Sequence, residues 1–186
     1  MVEDKAFRDI DFTKNDLTEE EYEGCVFVNC VFSKSNLSNI VFRECEFNGC
    51  DFSLARLNNA TLHDIKFVNC KLLGLHFNTC NSFLWSAGFE ECVLKLSAFT
   101  KMKLKKTKFR NCNLQEVDFS EADLSHSIFD NCDLQRAVFE SSNLEMVDFR
   151  SSFNYSIDPE KNRMKKARFS AAGVIGLLDK YDIVIG

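Results

Sequence analysis

The 186 residues carry 23 Lys and Arg against 28 Asp and Glu, for a net charge of −5 and a pI near 5.3. That is chain enough for one domain with a full core, and its acidic balance argues against a dedicated nucleic-acid binder. Seven Gly and one Pro leave little material for hairpin turns, whereas 19 Phe are an unusual supply of large apolar side chains.

The start, MVEDKAFRDIDF, lacks the charged-then-apolar layout of a secretory signal. The longest apolar run near the end, VIGLL, is far short of a membrane span. A soluble cytoplasmic protein without a membrane segment is expected.

Counted in fives from Phe7, the phase holds Phe12, Leu17, Tyr22, Phe27, Phe32, Leu37, Phe42, Phe47, Phe52, Leu57, Leu62, Phe67, Leu72 and Phe77, fifteen centres without a miss. Five matches neither the 3.6 of a helix nor the 2 of a strand, so it marks a repeat. Across NTCNSF, residues 78–83, the phase slips by two, resumes at Leu84 and runs through fourteen centres to Phe149. Sixteen of the 19 Phe sit in this phase. Two residues before the centre the chain prefers something small, as at Cys25, Cys30, Ser35, Ala55, Cys92, Ser127 and Ala137. Asp or Asn often stands between, as at Asp11, Asp16, Asn36, Asp51, Asp118, Asp123 and Asp148.

A second period gives the number of sides. Later centres alternate Leu and Phe, while Cys30, Cys50 and Cys70, like Cys92, Cys112 and Cys132, recur at every fourth unit. Two sides would be flat and six hollow, so four sides of one unit each are expected. The implied fold is an all-β solenoid whose square coils pair in parallel roughly 4.8 Å apart, right-handed by the rule for parallel crossovers. Twenty-nine centres make about seven coils, a rod on the order of 35 Å long.

The run FRNCNLQEVDFSEADLSHSIFDNCDLQRAVF resembles the pentapeptide-repeat proteins, whose unit is a small residue, Asp or Asn, Leu or Phe, and two variable positions. The resemblance extends from Phe7 to Phe149. It implies a right-handed quadrilateral parallel β-helix, in agreement with the count above.

Eight Cys occupy the small inward position and Cys80 keeps that phase up to the slip, so packing accounts for all nine. No CxxC pair exists, and His63, His76 and His126 fall at three different places in the repeat. No catalytic set, glycine-rich loop, cofactor or metal site can be placed, and no enzyme is expected. The slip holds the only Trp, Trp85: either it closes a bulge over the core with Phe83, or it marks a binding loop on the scaffold.

Charge is banded along the chain. Residues 1–24 carry nine acids and three bases, residues 93–112 seven bases and no acid, and residues 113–149 nine acids and one Arg. Charges four units apart suggest pairing between coils, for Lys101 with Glu121, Lys103 with Asp123, Glu116 with Arg136, and along Glu90, Arg110, Asp130 and Arg150. Glu140, Glu145 and Asp148 have less obvious partners and are the candidate partner-binding carboxylates.

The repeat domain is read as residues 1–153. Residues 154–186 are read as a loop at Pro159 followed by a short C-terminal helix, capped by Ser170, with Val174, Leu177, Leu178 and Tyr181 on one face. That helix would lid the open end of the rod and join two copies. The ending YDIVIG resembles that of the quinolone-resistance pentapeptide-repeat proteins, in which a C-terminal helix joins two rods end to end. The resemblance implies a homodimeric acidic rod that imitates duplex DNA, binds DNA gyrase or topoisomerase IV without binding nucleic acid, and protects against quinolones or gyrase-directed toxins. The alternative is a structural or adaptor protein with another protein partner.

Overall fold

The structure, a computed structural model, describes residues 1–14, 17 and 19–184. Asp16, one of the repeat's acidic positions, and Ile185 and Gly186 of the YDIVIG ending lie outside the described residues. All strand pairs are parallel. One sheet stacks Val2–Glu3, Glu21–Glu23, Val41–Arg43 and Thr61–His63; the other stacks Ala6–Arg8, Val26–Val28, Glu46–Asn48, Ile65–Val68, Ala87–Glu90, Lys108–Arg110 and Ile128–Asp130. Phe27 faces Phe47 and Phe109 faces Phe129, so one coil consumes four repeat units. Two further faces are held by single bridges, such as Asp11–Val31–Asp51 and Ala98–Asp118–Val138. The coil therefore has the four expected sides.

The five-residue period has a local cause. Three residues run extended, and the second residue after most centres turns the corner with positive φ, as at Asn29 (53°), Lys34 (59°) and Asn39 (65°). At many corners the N–H three residues on closes the turn, as from Ser35 to the Phe32 carbonyl at 3.0 Å. Asn, Asp and Gly are frequent there because they tolerate the left-handed region.

Inside, each centre lies on the like centre of the next coil. One column of stacked rings runs Phe7, Phe27, Phe47, Phe67, Phe89, Phe109, Phe129, Phe149 and Phe169, with centroids 4.7 to 5.5 Å apart. Neighbouring columns meet edge to face, as Phe109 and Phe119 do at 5.9 Å, an arrangement that satisfies the ring quadrupoles. The small position is more than a space-filler. Cys70 Sγ donates to the Phe47 carbonyl at 3.2 Å, Ser97 Oγ to Leu72 at 2.7 Å and Ser127 Oγ to Leu104 at 2.7 Å. Thiol and hydroxyl thus interchange because both bond the carbonyl of the coil below.

Three expectations are corrected. The seven regular strands of the longer sheet span about six turns, against the seven coils expected. Stacking nevertheless continues past Phe149 through the bridges Asn143–Arg163 and Asp148–Arg168, which carry Met164 and Phe169. The slip itself is confirmed: pairing moves two residues out of the coil register, with Phe67 facing Phe89 and Lys71 facing Val93. Leu84, however, does not resume the core, being 58% exposed at φ 57°. Half-buried Trp85 takes up the packing instead, edge-on to Phe99 at 6.4 Å.

The C-terminal helix is the last correction. It is two short 3₁₀ segments, Gly173–Leu177 and Asp179–Tyr181. Ser170 does start the turn, its Oγ accepting the Gly173 N–H at 2.9 Å. An α-helical ladder fails because the segment lies on Tyr155: a Cβ at Gly173 would overlap the Tyr155 hydroxyl, one at Gly176 the Tyr155 carbonyl. The Gly176 carbonyl is also committed to the Ile157 N–H at 2.9 Å. Leu177 packs on the core, Leu178 is half-buried, and Val174 and Tyr181 are exposed, so the four do not share one buried face.

Phe109, fully buried with a ring above and below, tests the column. Phe109→Ala is expected to lower unfolding free energy by about 3–5 kcal/mol, read as a shift of the urea midpoint.

Candidate functional site

The surface begins with the residue before each centre, where Asp or Asn recurs. Its side chain accepts the backbone N–H two residues on: Thr13 to Asp11 at 3.0 Å, Ser53 to Asp51 at 2.9 Å, Ser120 to Asp118 at 2.8 Å, Gln135 to Asp133 at 3.1 Å and Arg150 to Asp148 at 3.1 Å. This local turn bond explains the preference, and it holds the acids in fixed rows at the coil spacing. Asp11 is lowered to about 2 by Lys14 first and then Thr13. Asp148 is lowered by Arg150.

Pairing divides the carboxylates. Glu140 bonds Lys161 at 2.9 Å, Glu145 bonds Arg163 at 3.0 Å, and Asp148 meets Arg150 at 2.7 Å and Arg168 at 4.0 Å. The sequence had left these three without obvious partners; bases of the last coil and a near neighbour supply them. The basic stretch 93–112 wraps one whole coil and is partly neutralised: Lys95 meets Glu116 at 3.6 Å, Lys101 meets Glu121 at 3.5 Å, Lys105 meets Asp123 at 3.3 Å, and Arg110 reaches Glu90 at 3.4 Å and Asp130 at 3.7 Å. Of the suggested pairs, Lys101 with Glu121 and Arg110 with both Glu90 and Asp130 form; Lys103 with Asp123, Glu116 with Arg136 and Asp130 with Arg150 do not.

Unpaired acid collects at the other end. Glu3 faces Glu23 in register, and Arg43 beside them turns its guanidinium to Glu21 instead. On the adjoining corner Asp4, Gly24, Glu44 and Asp64 follow one another, the Asp4 N–H bonding the Glu23 carbonyl and the Glu44 N–H the His63 carbonyl. Among the described residues Glu3, Asp4, Glu23 and Glu44 have no ion-pair partner. They form an acidic ridge over the first three coils. The acidity of residues 1–24 is plain in the sequence, but only the register between coils shows that these residues share an edge.

The remaining candidates scatter. His63 lies 3.5 Å from Asp64, and among the described residues no group of His, Cys, Asp or Glu has an arrangement suited to a metal ion. Among them, too, no helix is long and apolar enough to cross a membrane. Trp85 closes the slip over a cavity of about 210 Å³ with Phe77, Cys80 and Met102; its indole N–H is buried without an acceptor.

A family model described as a pentapeptide repeat region matches residues 21–83 and 82–154. The chain belongs to the pentapeptide-repeat family. A search of curated protein sequences gives no match. Among solved structures, this pentapeptide-repeat protein is similar to a trypsin-treated form of QnrB1, described as a plasmid-mediated fluoroquinolone resistance protein, at 22% identity over 99% of each chain with a TM-score of 0.44. Full-length QnrB1 matches at 19% identity over 97% of this chain and 99% of its own, with a TM-score of 0.41. Rfr23 from the cyanobacterium Cyanothece 51142 matches at 13% identity over 83% and 90%, with a TM-score of 0.19.

All nine cysteines are free and eight are buried, and burial raises Cys45 to about 12. Native protein is therefore expected to resist iodoacetamide at pH 8 at those eight positions, by mass spectrometry. The folded Cys45 thiol keeps its proton where the unfolded one, near pKa 8.5, loses it. This contribution to stability is full below about pH 8.5 and declines above it toward pH 12, a fall that urea titrations at pH 8 and 10 measure.

Proposed function

We propose that the protein is a non-enzymatic cytoplasmic binding module that occupies the basic DNA-binding surface of DNA gyrase or topoisomerase IV and protects the enzyme from quinolones or gyrase-directed toxins. The observation that carries this reading is the acidic ridge of Glu3, Asp4, Glu23 and Glu44, whose carboxylates find no base among the described residues of their own chain. Like charges in register repel, and a basic partner relieves that repulsion while steering association. Asp51, Asp118 and Asp133, fixed by their turn bonds, add the same charge farther along the rod. Supercoiling by gyrase, inhibited by a fluoroquinolone, is expected to recover when the protein is titrated in, and Glu3→Lys with Glu23→Lys to weaken the recovery; no effect on gyrase or topoisomerase IV would refute the reading.

A second reading, an adaptor for another protein, is favoured by the internal pairing of Glu140, Glu145 and Asp148, which removes them as free carboxylates. In either case we propose a homodimer through the C-terminal segment, where Val174 is 43%, Ile175 47%, Tyr181 52% and Ile183 55% exposed. Leu178→Asp is expected to give monomer or aggregate, and an unchanged dimer by light scattering would count against this interface.

A further inference from the structure

Left-handed corners recur throughout the rod, and most carry Asn, Asp, Lys, Glu or Gly. Leucine is a poor choice for such a place: its Cβ crowds the following carbonyl, and on an exposed corner burial offers little compensation. Yet Leu54 (φ 59°) and Leu96 (φ 62°) stand on one corner column at 52% and 51% exposure, with Gly74 (φ 64°) in the coil between. Backbone bonds from Leu54 to the Leu73 carbonyl and from Gly74 to the Lys95 carbonyl, both 2.9 Å, fix this order. A Cβ on Gly74 would stand 2.8 Å from Leu54 Cδ2, so the glycine leaves room for the leucine to lie along the surface. Half-buried Leu73 and Val93, 40% exposed, complete an apolar patch that spans three coils.

Around this patch Lys34, Lys71 and Lys95 outnumber the acids Asp51, bridged to Lys71, and Glu116, on a protein that is acidic overall. Lys34 precedes Leu54 on the same corner, its N–H bonding the Ser53 carbonyl, and Lys71 is bridged to Val93. Both are exposed and neither has an ion-pair partner among the described residues. Lys95 beside them is held by Glu116. A polar corner would serve the fold as well or better, so the two strained leucines point to a role outside folding.

We propose that Leu54, Leu73, Val93 and Leu96, with Lys34 and Lys71, form a docking surface for a protein segment in which leucine or phenylalanine is interleaved with carboxylates. Apolar side chains of the segment cover the leucines and its acids meet the two lysines. This surface is separate from the acidic ridge and takes a partner of opposite charge to the one proposed there.

The test uses the full chain and a fluorescein-labelled synthetic peptide of Leu and Phe interleaved with Asp and Glu, alongside a counterpart with Lys at every acidic position. The acidic peptide binds, with amide shifts mapped to residues around Leu54, Leu73 and Leu96, and its lysine counterpart does not. Leu54→Asn with Leu96→Asn weakens binding about tenfold or more, while the melting temperature stays level or rises, because Asn tolerates the left-handed corner. Lys34→Glu with Lys71→Glu weakens binding and flattens its dependence on salt. A melting temperature that falls by several degrees in the Asn variant would make the leucines structural and overturn the proposal. So would equal binding of both peptides, no binding of the acidic one, preferential binding of a single-stranded oligonucleotide at the patch, or a smaller oligomer in the Asn variant by sedimentation, which would make the patch an interface between copies.

Discussion

Everything in this rod depends on the backbone hydrogen bonds that set one coil on the next in a register of four repeat units. Because Phe27 must face Phe47 and Phe109 must face Phe129, whatever occupies one coil meets its counterpart in the next. Phenylalanine suits that constraint, since a ring on a ring at the coil spacing is close to the offset stack the π-system prefers. The same bonds place a carbonyl beneath each small inward side chain, so Cys and Ser there gain a hydrogen bond that Ala, which also fills the space, does not. Fold and composition are consequences of one register.

With the inside committed, function is left to the outward positions. Asp and Asn before each centre are first a local device, bonding the N–H two residues on, and only then a surface charge. Ion pairs neutralise most of the later acids, while Glu3, Asp4, Glu23 and Glu44 of the first coils have no ion-pair partner among the described residues. The rod is consequently asymmetric: an acidic ridge at the start, an apolar patch with basic surroundings midway, and exposed apolar residues at the end.

How much of this was legible follows from what each feature depends on. The four sides, the inward Phe and Cys, and the slip of two were readable because a strict register writes itself as a period. Trp85 and Leu84 were exchanged because inside the slip the period no longer says which neighbour turns inward; the larger ring covers the gap. The terminal helix failed because its glycines answer to Tyr155, a contact no local pattern displays. Charge pairing was half legible: pairs in straight register such as Lys101 with Glu121 form, but Lys95 overshoots the register to reach Glu116 and Lys105 stops short of it at Asp123, since long side chains lean across rows. The acidic ridge was missed as a site because neutralisation elsewhere is what singles it out.

In the function proposed, free carboxylates of the first coils take the place of nucleic acid on a basic enzyme surface. The most direct measurement is displacement of a fluorescent DNA duplex from gyrase, followed by anisotropy as the protein is added. The duplex is expected to be released, release to weaken with rising salt, and Glu3→Lys with Glu23→Lys to shift the curve to higher concentration. A duplex that stays bound at every concentration, while the protein remains folded, would contradict it.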